Sequence, residues 1–313
     1  MIVENVSAIS CPPIFFKLNN FLSDSEAYVK LEGLNIAGSI KLTTAKKLIE
    51  SLEKKKIINS KTKIVESSSG NLGVALSLIC KEKGYHFICV TDPNILPENE
   101  KLMNIYGAEI IKITERDVNG GYLSSRIAYI QQILENNPDY IWLNQYANPS
   151  NPSAHFSQTA ADIYQSFTDL DYLFVGAGTT GTLMGCAAYF RKNSPRTKII
   201  GVDSEGSVTF GFHPKKRHIP GIGTSKRPEI VNEDLLDEIL LIEELDAVNM
   251  CHWLLETYGL FLGGSSGTVL QAIKTYENKI PPKSRVMAIS PDFGNKYMDM
   301  IYDNQWVQEK FGL

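Results

Sequence analysis

A lysine lies on the apolar face of a predicted helix, in the segment AGSIKLTT that begins at Ala37. Counting from Lys41, small or apolar residues recur at the spacing of one helix face, at Thr44, Ala45, Leu48, Ile49 and Leu52. Burial lowers the pKa of a lysine, and the neutral amine is the form that makes Schiff bases with carbonyl compounds. The alternative is a lysine whose stem packs on this face while its ammonium group reaches water. The spacing alone does not distinguish the two.

Three consecutive serines and a Gly-Asn pair, residues 67–71, separate a predicted strand from a predicted helix. The backbone N–H groups at a helix N-terminus bind anions, and hydroxyl groups beside them suit a carboxylate. Helix capping is the alternative role for such a serine. Capping accounts for one serine and does not account for three serines followed by a Gly-Asn pair.

The segment GAGTTGT, residues 176–182, also connects a predicted strand to a predicted helix. Its G-x-G-x-x-G pattern, with Asp203 at the end of the next strand, is typical of dinucleotide-binding turns and allows an NAD-dependent oxidoreductase. The same geometry holds any phosphate, because glycines let it approach the backbone. Thr179, Thr180 and Thr182 add hydroxyl donors, which favours a terminal phosphate with several free oxygens. A tight turn without a ligand is the third interpretation.

A further small-residue segment, Gly263-Gly264-Ser265-Ser266-Gly267, leads into a helix predicted to begin at Thr268. On its own it indicates no more than a capped connection. Together with the lysine, the serine-rich turn and the phosphate turn, it forms a far more specific set.

The composition is that of an ordinary globular protein of 313 residues, 43% apolar and 21% charged, with a net charge of −4. This balance predicts no binding to nucleic acid or to an anionic membrane surface, and the apolar runs are too short to span a bilayer. The N-terminus lacks the pattern of a signal peptide, so we expect a cytoplasmic protein. The five cysteines, Cys11 included, are scattered singly, which predicts reduced thiols and no disulfide or metal site.

Strand-like and helix-like segments alternate along most of the chain. Strands are predicted at 27–31, 63–66, 86–90, 109–113, 172–175, 198–202, 238–242 and 285–289, and helices from Lys41, at 71–83, 97–106, 121–136, 182–192 and 246–258, and after Gly267. Such alternation predicts an α/β fold with parallel sheets covered by helices on both faces. The segment 145–155 is rich in Asn, Pro and Ser and lacks periodicity, so we interpret it as a crossing between two α/β layers with a cleft between them.

In this order, the lysine and the three small-residue segments resemble the fold-type II pyridoxal-phosphate enzymes, the cysteine synthase family, from about Pro12 to Tyr302. The resemblance implies a two-domain, three-layer αβα fold like that of the tryptophan synthase β subunit, with twisted, mostly parallel sheets. We expect a small substrate-binding domain at 34–144, and a large domain at 1–33 and 145–313 that binds the cofactor's phosphate.

The resemblance also implies a role for each motif. Lys41 would form the Schiff base with pyridoxal 5′-phosphate, and Ser68, Ser69, Gly70 and Asn71 would bind the substrate carboxylate. Asn71 would also contact the cofactor's phenolic oxygen, and Ser265 would face its pyridine nitrogen. The phosphate-binding residues would be Gly178, Thr179, Thr180, Gly181 and Thr182.

Within the family, several stretches resemble the synthases that join O-phospho-L-serine to L-glutamate in diaminopropionate and siderophore pathways: ESSSGNLG (66–73), GGYL (120–123), NQYAN (144–148) and PGIG (220–223). A transferase of this kind replaces the β-substituent of an activated serine through an α-aminoacrylate intermediate. The leaving phosphate needs a cation, for which Arg126 is the candidate; a solvated surface arginine is the alternative. Sulfide as nucleophile, giving cysteine from O-acetylserine or O-phosphoserine, is the runner-up to glutamate.

A glutamate nucleophile needs partners for two carboxylates. The segment 145–150, with Gln145, Tyr146 and Asn148, and the basic segment 225–227 offer such donors, and Tyr146 is our candidate substrate-binding residue among them. We expect small amino acids as substrates and a homodimeric assembly.

Overall fold

The computed structural model describes residues 2–9, 12–118 and 120–312. Cys11, one of the predicted reduced thiols, lies outside these ranges. Cys80, Cys89, Cys186 and Cys251 are buried free thiols. None of the helices in the described ranges is long and apolar enough to cross a membrane.

Strands and helices alternate along the described chain. The strands are β1 (Phe15–Leu18), β2 (Glu26–Leu31), β3 (Lys63–Ser67), β4 (His86–Thr91), β5 (Glu109–Lys112), β6 (Tyr140–Trp142), β7 (Tyr172–Gly176), β8 (Lys198–Ser204), β9 (Glu238–Ile242) and β10 (Arg285–Ser290). The helices are α1 (Lys41–Lys54), α2 (Asn71–Lys83), α3 (Pro97–Ile105), α4 (Leu123–Asn136), α5 (Ser150–Ser157), α6 (Thr159–Ser166), α7 (Gly181–Asn193), α8 (Glu244–Tyr258), α9 (Gly264–Tyr276) and α10 (Asn304–Phe311). Each predicted element is present, and its ends agree with the prediction to within two residues except at the start of α9.

The smaller sheet has the strand order β5-β4-β3-β6, and its strands pair in parallel. Helices α1, α2 and α3 cover one face, around a core that includes Leu48, Ile64 and Leu76. Helix α4 covers the other face, where Ile130 packs with Val65. Burial on both faces explains why these strands are rich in aliphatic residues.

The larger sheet has the order β1-β2-β10-β7-β8-β9, with β1 antiparallel to β2 and the remaining described pairs parallel. Helices α8 and α9 pack on one face and α5, α6 and α7 lie on the other. The neighbouring residues Leu173 and Phe174 of β7 belong to the two opposite cores, as the alternation of side chains along a strand requires. The three-layer arrangement confirms the predicted α/β fold.

The smaller sheet is built from strands within 34–144, and the strands of the larger sheet come from the rest of the chain. Helix α1 packs on α2 and also on α5, so it connects the two layers. The division into domains at the bounds given above stays a prediction.

The segment 145–155, which was expected to lack regular structure, contains helix α5, so that expectation is wrong, whereas its role as a crossing between the two layers stays a prediction. Pro149 precedes the helix and Pro152 lies in its first turn, where a proline's missing N–H removes no helical hydrogen bond. The helix packs closely on α7, because a Cβ on Gly185 would lie 2.3 Å from the carbonyl oxygen of Pro152. Helix α5 buries Asn151 and His155, which become part of the site described below.

Helix α9 begins at Gly264 and not at the predicted Thr268, so the glycine-serine segment is its first turn and not a loop. The glycines serve close packing here. A Cβ on Gly264 would lie 2.5 Å from a methyl carbon of Ile219, and one on Gly267 would lie 2.3 Å from the carbonyl oxygen of Ala247.

Candidate active site

Lys41 is the first residue of α1, and the stripe that follows it, including Ala45 and Leu48, is buried as predicted. The Nζ atom of Lys41 lies 3.5 Å from Oγ1 of Thr179 in the phosphate turn. Burial lowers the pKa of Lys41 to about 8, and the carboxylate of Glu66 opposes this shift. This shift and the contact with Thr179 favour a largely desolvated amine over an ammonium group that reaches water.

The turn before Lys41 is fixed to the segment that follows β10. The N–H of Ile40 donates to the carbonyl of Pro291 at 2.8 Å, and Ser39 pairs with Asp292 in an antiparallel bridge. The side-chain amide of Asn35 donates to the carbonyl of Ser39 at 2.9 Å. These bonds set where α1 begins and thus where the lysine enters the site.

The serine-rich turn follows β3 and combines capping with an open surface. Oγ of Ser68 accepts the N–H groups of Gly70 at 3.3 Å and Gly73 at 3.0 Å, so Ser68 caps α2. Ser69 and Gly70 are half-buried, and a Cβ on Gly70 would meet no atom within 4 Å. One serine is therefore used internally, and the next two residues border free space.

Asn71, the first residue of α2, contacts the same segment that holds the lysine turn. Its Nδ2 donates to Oδ2 of Asp292 at 2.7 Å, and its Oδ1 accepts from Nζ of Lys296 at 2.6 Å. Tyr297 donates its hydroxyl to Oδ2 of Asp292, also at 2.6 Å. The structure thus brings Asn71 close to the start of α1, through partners that the sequence did not identify.

The phosphate turn lies between β7 and α7. Thr180 adopts a left-handed backbone with φ of 65°, and its Oγ1 is buried with no hydrogen-bond partner among the described residues. A Cβ on Gly178 would lie 3.0 Å from the carbonyl oxygen of Gly221, and the N–H of Gly223 donates to Ala177 at 2.7 Å. The segment 220–223 therefore packs directly on the turn, and Thr180 has a hydroxyl to offer an anion.

Asn151 supports this turn. Its Nδ2 donates to the carbonyl of Gln145 at 2.8 Å and to Oγ1 of Thr179 at 3.2 Å. A Cβ on Gly181 would lie 2.0 Å from Oδ1 of Asn151. The glycine at this position is therefore required by a protein side chain, in addition to any phosphate.

His155 links three helices beneath the turn. Its Nε2 lies 2.9 Å from Oγ1 of Thr44 in α1 and 3.3 Å from Oγ1 of Thr182 in α7, and its Nδ1 lies 3.0 Å from Oγ1 of Thr159 in α6. Burial lowers the pKa of His155 to about 3, and the charge of Lys41 acts in the same direction. The imidazole is therefore neutral, and its role is to hold the lysine helix against the phosphate turn.

Ser265 lies in the first turn of α9 and is buried. This turn packs on Asp292, since a Cβ on Gly263 would lie 2.1 Å from Oδ1 of the aspartate. The hydroxyls of Ser266 and Ser290 lie 2.8 Å apart and join α9 to the end of β10. Ser265 is thus brought to the segment that also holds Asn71 and the lysine turn.

Arg126 is buried, with a relative exposure of 6%, so the alternative of a solvated surface arginine is wrong. Its Nη1 lies 3.2 Å from Oδ2 of Asp92. Neither Nε nor Nη1 makes a well-oriented hydrogen bond within the described residues. Asp92 directly follows β4, whose Val90 pairs with Ser67 at the end of β3, so the guanidinium lies near the same edge of the smaller sheet as the serine turn.

The phenol of Tyr146 lies in the field of two arginines. Burial raises the pKa of Tyr146, and the charges of Arg126 and Arg217 oppose this rise. Tyr146 also lines a pocket of about 80 Å³, with Lys226 and Arg227 among the other lining residues. The carboxylates of Glu66 and Asp92 act in the opposite direction, so charges of both signs surround this side chain.

Several donors that were expected to serve the nucleophile are used within the protein. Nε2 of Gln145 donates to the carbonyl of Ser67 at 2.9 Å, and the amide of Asn148 donates to a backbone carbonyl at 2.8 Å. Nη1 of Arg227 lies 2.7 Å from Oε1 of Glu233. These groups stabilise their own segments.

Asp203 does not lie at an open nucleotide-binding surface. It is fully buried in β8, its Oδ1 accepts the N–H of Ser204 at 2.8 Å, and burial raises its pKa to about 6. A ribose hydroxyl has no access to a carboxylate placed in this way, which removes the structural basis for an NAD-dependent oxidoreductase.

The residues that sequence reasoning missed fall into two groups. Asn151 and His155 are four residues apart, on one face of α5, so recognising that helix would have identified them. Asp292 and Lys296 follow the carboxyl end of β10, the place where open α/β sheets bind ligands, and that rule would have drawn attention to both.

Proteins of known identity resemble this chain over most of its length. A family model described as "Pyridoxal-phosphate dependent enzyme" matches residues 12–292. N-(2-amino-2-carboxyethyl)-L-glutamate synthase of Ralstonia nicotianae is 40% identical over 284 residues, which cover 90% of this chain and 84% of the relative. The protein of the same name from Cupriavidus metallidurans is 41% identical over 289 residues, 91% of this chain and 85% of the relative.

Solved structures show the same fold. The O-acetylserine dependent cystathionine beta-synthase from Helicobacter pylori superposes with a TM-score of 0.89 at 30% identity, covering 97% of this chain and 100% of that one. An O-ureido-L-serine synthase superposes with a TM-score of 0.90 at 24% identity, over 97% and 95% of the two chains. Because the family model spans most of the chain and the curated relatives are about 40% identical over nine-tenths of it, this chain belongs to the pyridoxal-phosphate dependent enzymes.

Proposed function

We propose that the protein replaces the phosphate of O-phospho-L-serine with the amino group of L-glutamate, giving N-(2-amino-2-carboxyethyl)-L-glutamate. Two relatives at 40% and 41% identity carry the name N-(2-amino-2-carboxyethyl)-L-glutamate synthase, which supports L-glutamate as the nucleophile. The observation that carries it is Arg126, a buried guanidinium that has unused donors near the serine turn. A leaving phosphate dianion matches such a group, whereas acetate needs less charge.

The residues present fit the cofactor. We place its phosphate on the turn 178–182, where the hydroxyl of Thr180 is buried without a partner among the described residues. We place its aldehyde carbon at Lys41, whose Nζ lies 3.5 Å from Oγ1 of Thr179 in that turn. When bound, pyridoxal phosphate supplies an electron-withdrawing ring conjugated with the substrate's amino group. Because its pKa is near 8, Lys41 is in part a neutral amine at physiological pH. This amine can accept the substrate's α-proton at Nζ and then hold it as an ammonium group. Ser265 would face the pyridine nitrogen with a neutral hydroxyl.

The serine turn and Arg126 would bind the first substrate. Ser69 and Gly70 border free space at the N-terminus of α2, beside Asn71, where backbone N–H groups favour a carboxylate. Ser68 holds this turn in shape through its two capping bonds. Arg126 would then neutralise the phosphate as it leaves, while Asp92 keeps the guanidinium in place.

Arg217 supports an anionic nucleophile. It is half-buried, and its Nη1 donates to the carbonyl of Ile222 at 2.8 Å, on the segment that packs over the phosphate turn. Its charge also reaches Tyr146. A second cation near that phenol suits a carboxylate of glutamate, in addition to the phosphate at Arg126. Sulfide is the alternative nucleophile, and it would need no partner for a carboxylate.

A competition assay separates these candidates. The holoenzyme and O-phosphoserine are offered glutamate, aspartate, other amino acids and sulfide together, and the products are identified by mass spectrometry. We expect the glutamate adduct to dominate. Cysteine as the main product, with no glutamate adduct, would assign the protein to cysteine synthesis. Phosphate release with no adduct to any of the offered nucleophiles would contradict both candidates.

We further propose a cytoplasmic homodimer that serves a diaminopropionate or siderophore-type pathway. Exposed isoleucines near the N-terminus, Ile2, Ile9, Ile14 and Ile36, support a self-association surface. Light scattering of the purified holoenzyme tests the assembly, since a monomer at micromolar concentration would contradict it.

A further inference from the structure

Two groups of opposite character hold the side-chain amide of Asn71 from both sides. The ammonium group of Lys296 donates to its Oδ1 at 2.6 Å, and the carboxylate oxygen Oδ2 of Asp292 accepts from its Nδ2 at 2.7 Å. A carboxylate only accepts hydrogen bonds and an ammonium only donates them. The pair therefore permits one orientation of the amide, because the flipped amide would place N–H against N–H and oxygen against oxygen.

The arrangement leaves one N–H of Asn71 for a ligand. The amide nitrogen carries two hydrogens, and Asp292 takes one of them. The side chain of Asp292 is fixed in place. It is 1% exposed, it accepts a hydrogen bond from the hydroxyl of Tyr297 at 2.6 Å, and its Oδ1 lies 2.1 Å from the position of a Cβ on Gly263. Lys296 lies over the turn before the lysine helix, with Nζ 3.8 Å from the position of a Cβ on Gly38. The second N–H is thus oriented by groups that themselves adjoin Lys41.

We propose that Lys296 is a positioning residue that fixes the Asn71 amide so that its second N–H donates to the phenolic oxygen of the cofactor. Lys296 does this through Asn71 and does not contact the cofactor itself. Hydrogen bonds in series polarise one another, so an ammonium group on Oδ1 also makes the N–H of the same amide a stronger donor. This inference rests on the cofactor placement proposed above and not on the choice of substrates.

The test measures cofactor binding and the absorption spectrum of the bound cofactor. Apoenzymes of the wild type and of Lys296→Met are titrated with pyridoxal phosphate, and the dissociation constant and the visible spectrum are recorded. We expect Lys296→Met to bind about tenfold more weakly, which corresponds to the loss of about 1.4 kcal/mol. We also expect part of the visible band to move into the near ultraviolet, because the Asn71 amide is no longer held in the orientation that donates to the phenolic oxygen. Lys296→Arg, which keeps a cationic donor, should retain the visible band.

Lys46→Met is the matched control. Lys46 is also half-buried, and its Nζ donates to a neutral oxygen, the carbonyl of Ser7, at 3.4 Å. We expect this variant to keep the dissociation constant and the spectrum of the wild type. A change equal to that of Lys296→Met would overturn the proposal, because it would assign the effect to the loss of any half-buried lysine.

A double-mutant cycle with Asn71→Ala decides whether Lys296 acts through Asn71. We expect Lys296→Met to have no further effect on affinity or spectrum in the Asn71→Ala background. A full effect there would overturn the proposal, as would a wild-type spectrum and affinity for Lys296→Met alone. If Asn71→Ala itself leaves both quantities unchanged, the placement of the cofactor at Asn71 is wrong. Thermal unfolding of each apoenzyme identifies a variant that fails to fold, and Lys296→Gln, a shorter neutral donor, then replaces Lys296→Met in the cycle.

Discussion

Replacing Gly181 with alanine places a methyl group where the side chain of Asn151 now lies. The added Cβ would be 2.0 Å from Oδ1 of Asn151, far inside van der Waals contact, so the asparagine must move. Asn151 is fully buried and makes side-chain bonds to the carbonyl of Gln145 at 2.8 Å, to Thr179 at 3.2 Å and to Thr44 at 3.3 Å. Displacing it therefore disturbs the phosphate turn and the lysine helix together.

The size of the effect follows from these bonds. Each contributes about 0.5–1.5 kcal/mol to the free energy of unfolding, so the loss of all three costs about 1.5–4.5 kcal/mol. Alanine is a better helix former than glycine by about 1 kcal/mol, which offsets part of this loss. We expect Gly181→Ala to lower the free energy of unfolding of the apoenzyme by about 1–3 kcal/mol and to weaken cofactor binding about tenfold or more.

The assay combines urea unfolding of the apoenzyme with titration by pyridoxal phosphate, for Gly181→Ala alone and in an Asn151→Ala background. With the asparagine removed, the methyl group has space, so in that background Gly181→Ala should be neutral or stabilising. Equal losses of cofactor affinity in the two backgrounds, with an unchanged stability of the apoenzyme, would refute this reasoning. The methyl group would then collide with the phosphate itself and not with Asn151.

Burial lowers the pKa of Lys41 from the ordinary 10.5 to about 8, so between these values the unfolded chain binds a proton that the folded apoenzyme releases. The free energy of unfolding should rise with pH in this window by up to about 1.4 kcal/mol per unit, and Lys41→Met should abolish the rise in urea unfolding. His155, with a pKa lowered from 6.5 to about 3, should cost stability as the pH falls through that range, because the unfolded chain binds the proton first. His155→Gln should be less stable at pH 7 but lose less between pH 6.5 and 4. Arg126→Met should reduce kcat/KM for O-phosphoserine about 30- to 1000-fold, the equivalent of about 2–5 kcal/mol, and far less for O-acetylserine; equal losses would make Arg126 structural.

Much of the fold could be predicted because most elements show a periodicity of their own. The buried stripe of α1 follows the 3.6-residue period, and β3, β4 and β7 are short aliphatic runs between turn residues. Elements without such a signal were missed. Strands β1 and β6 have four and three residues, too few for a pattern, and helices α6 and α10 have eight each.

Helix α5 was missed for a chemical reason. Its first turn carries Asn151 and Pro152, residue types that usually end helices, and here they begin one. Because Asn151 and His155 lie on this helix, missing it left two residues of the site unidentified, although it changed little in the predicted fold. Proline and asparagine therefore indicate a boundary without indicating on which side of it the helix lies.

The candidate site could be predicted turn by turn but not in its pairings. Two of the three small-residue segments follow parallel strands, the serine turn after β3 and the phosphate turn after β7, so their capacity to bind an anion is a local property. Which segments meet is decided by the order of strands within a sheet. Strand β10 lies between β2 and β7 and runs parallel to β7. This order places Asp292 and Lys296 at the same carboxyl edge as the phosphate turn, although they follow that turn by 110 or more residues in the sequence.

The pairing of Asn71 with Lys296 requires one further condition, because the two residues are 225 positions apart and follow strands of different sheets. Their contact exists only if the carboxyl edges of the two sheets face each other. Helix α1 enforces that geometry, since it packs on α2 of the smaller sheet while Ile40, the residue before it, is bonded to Pro291 beyond the end of β10. The starts of both α1 and α2 are thus bonded to the segment that follows β10, and this shared segment brings Lys41 and Asn71 to the same place.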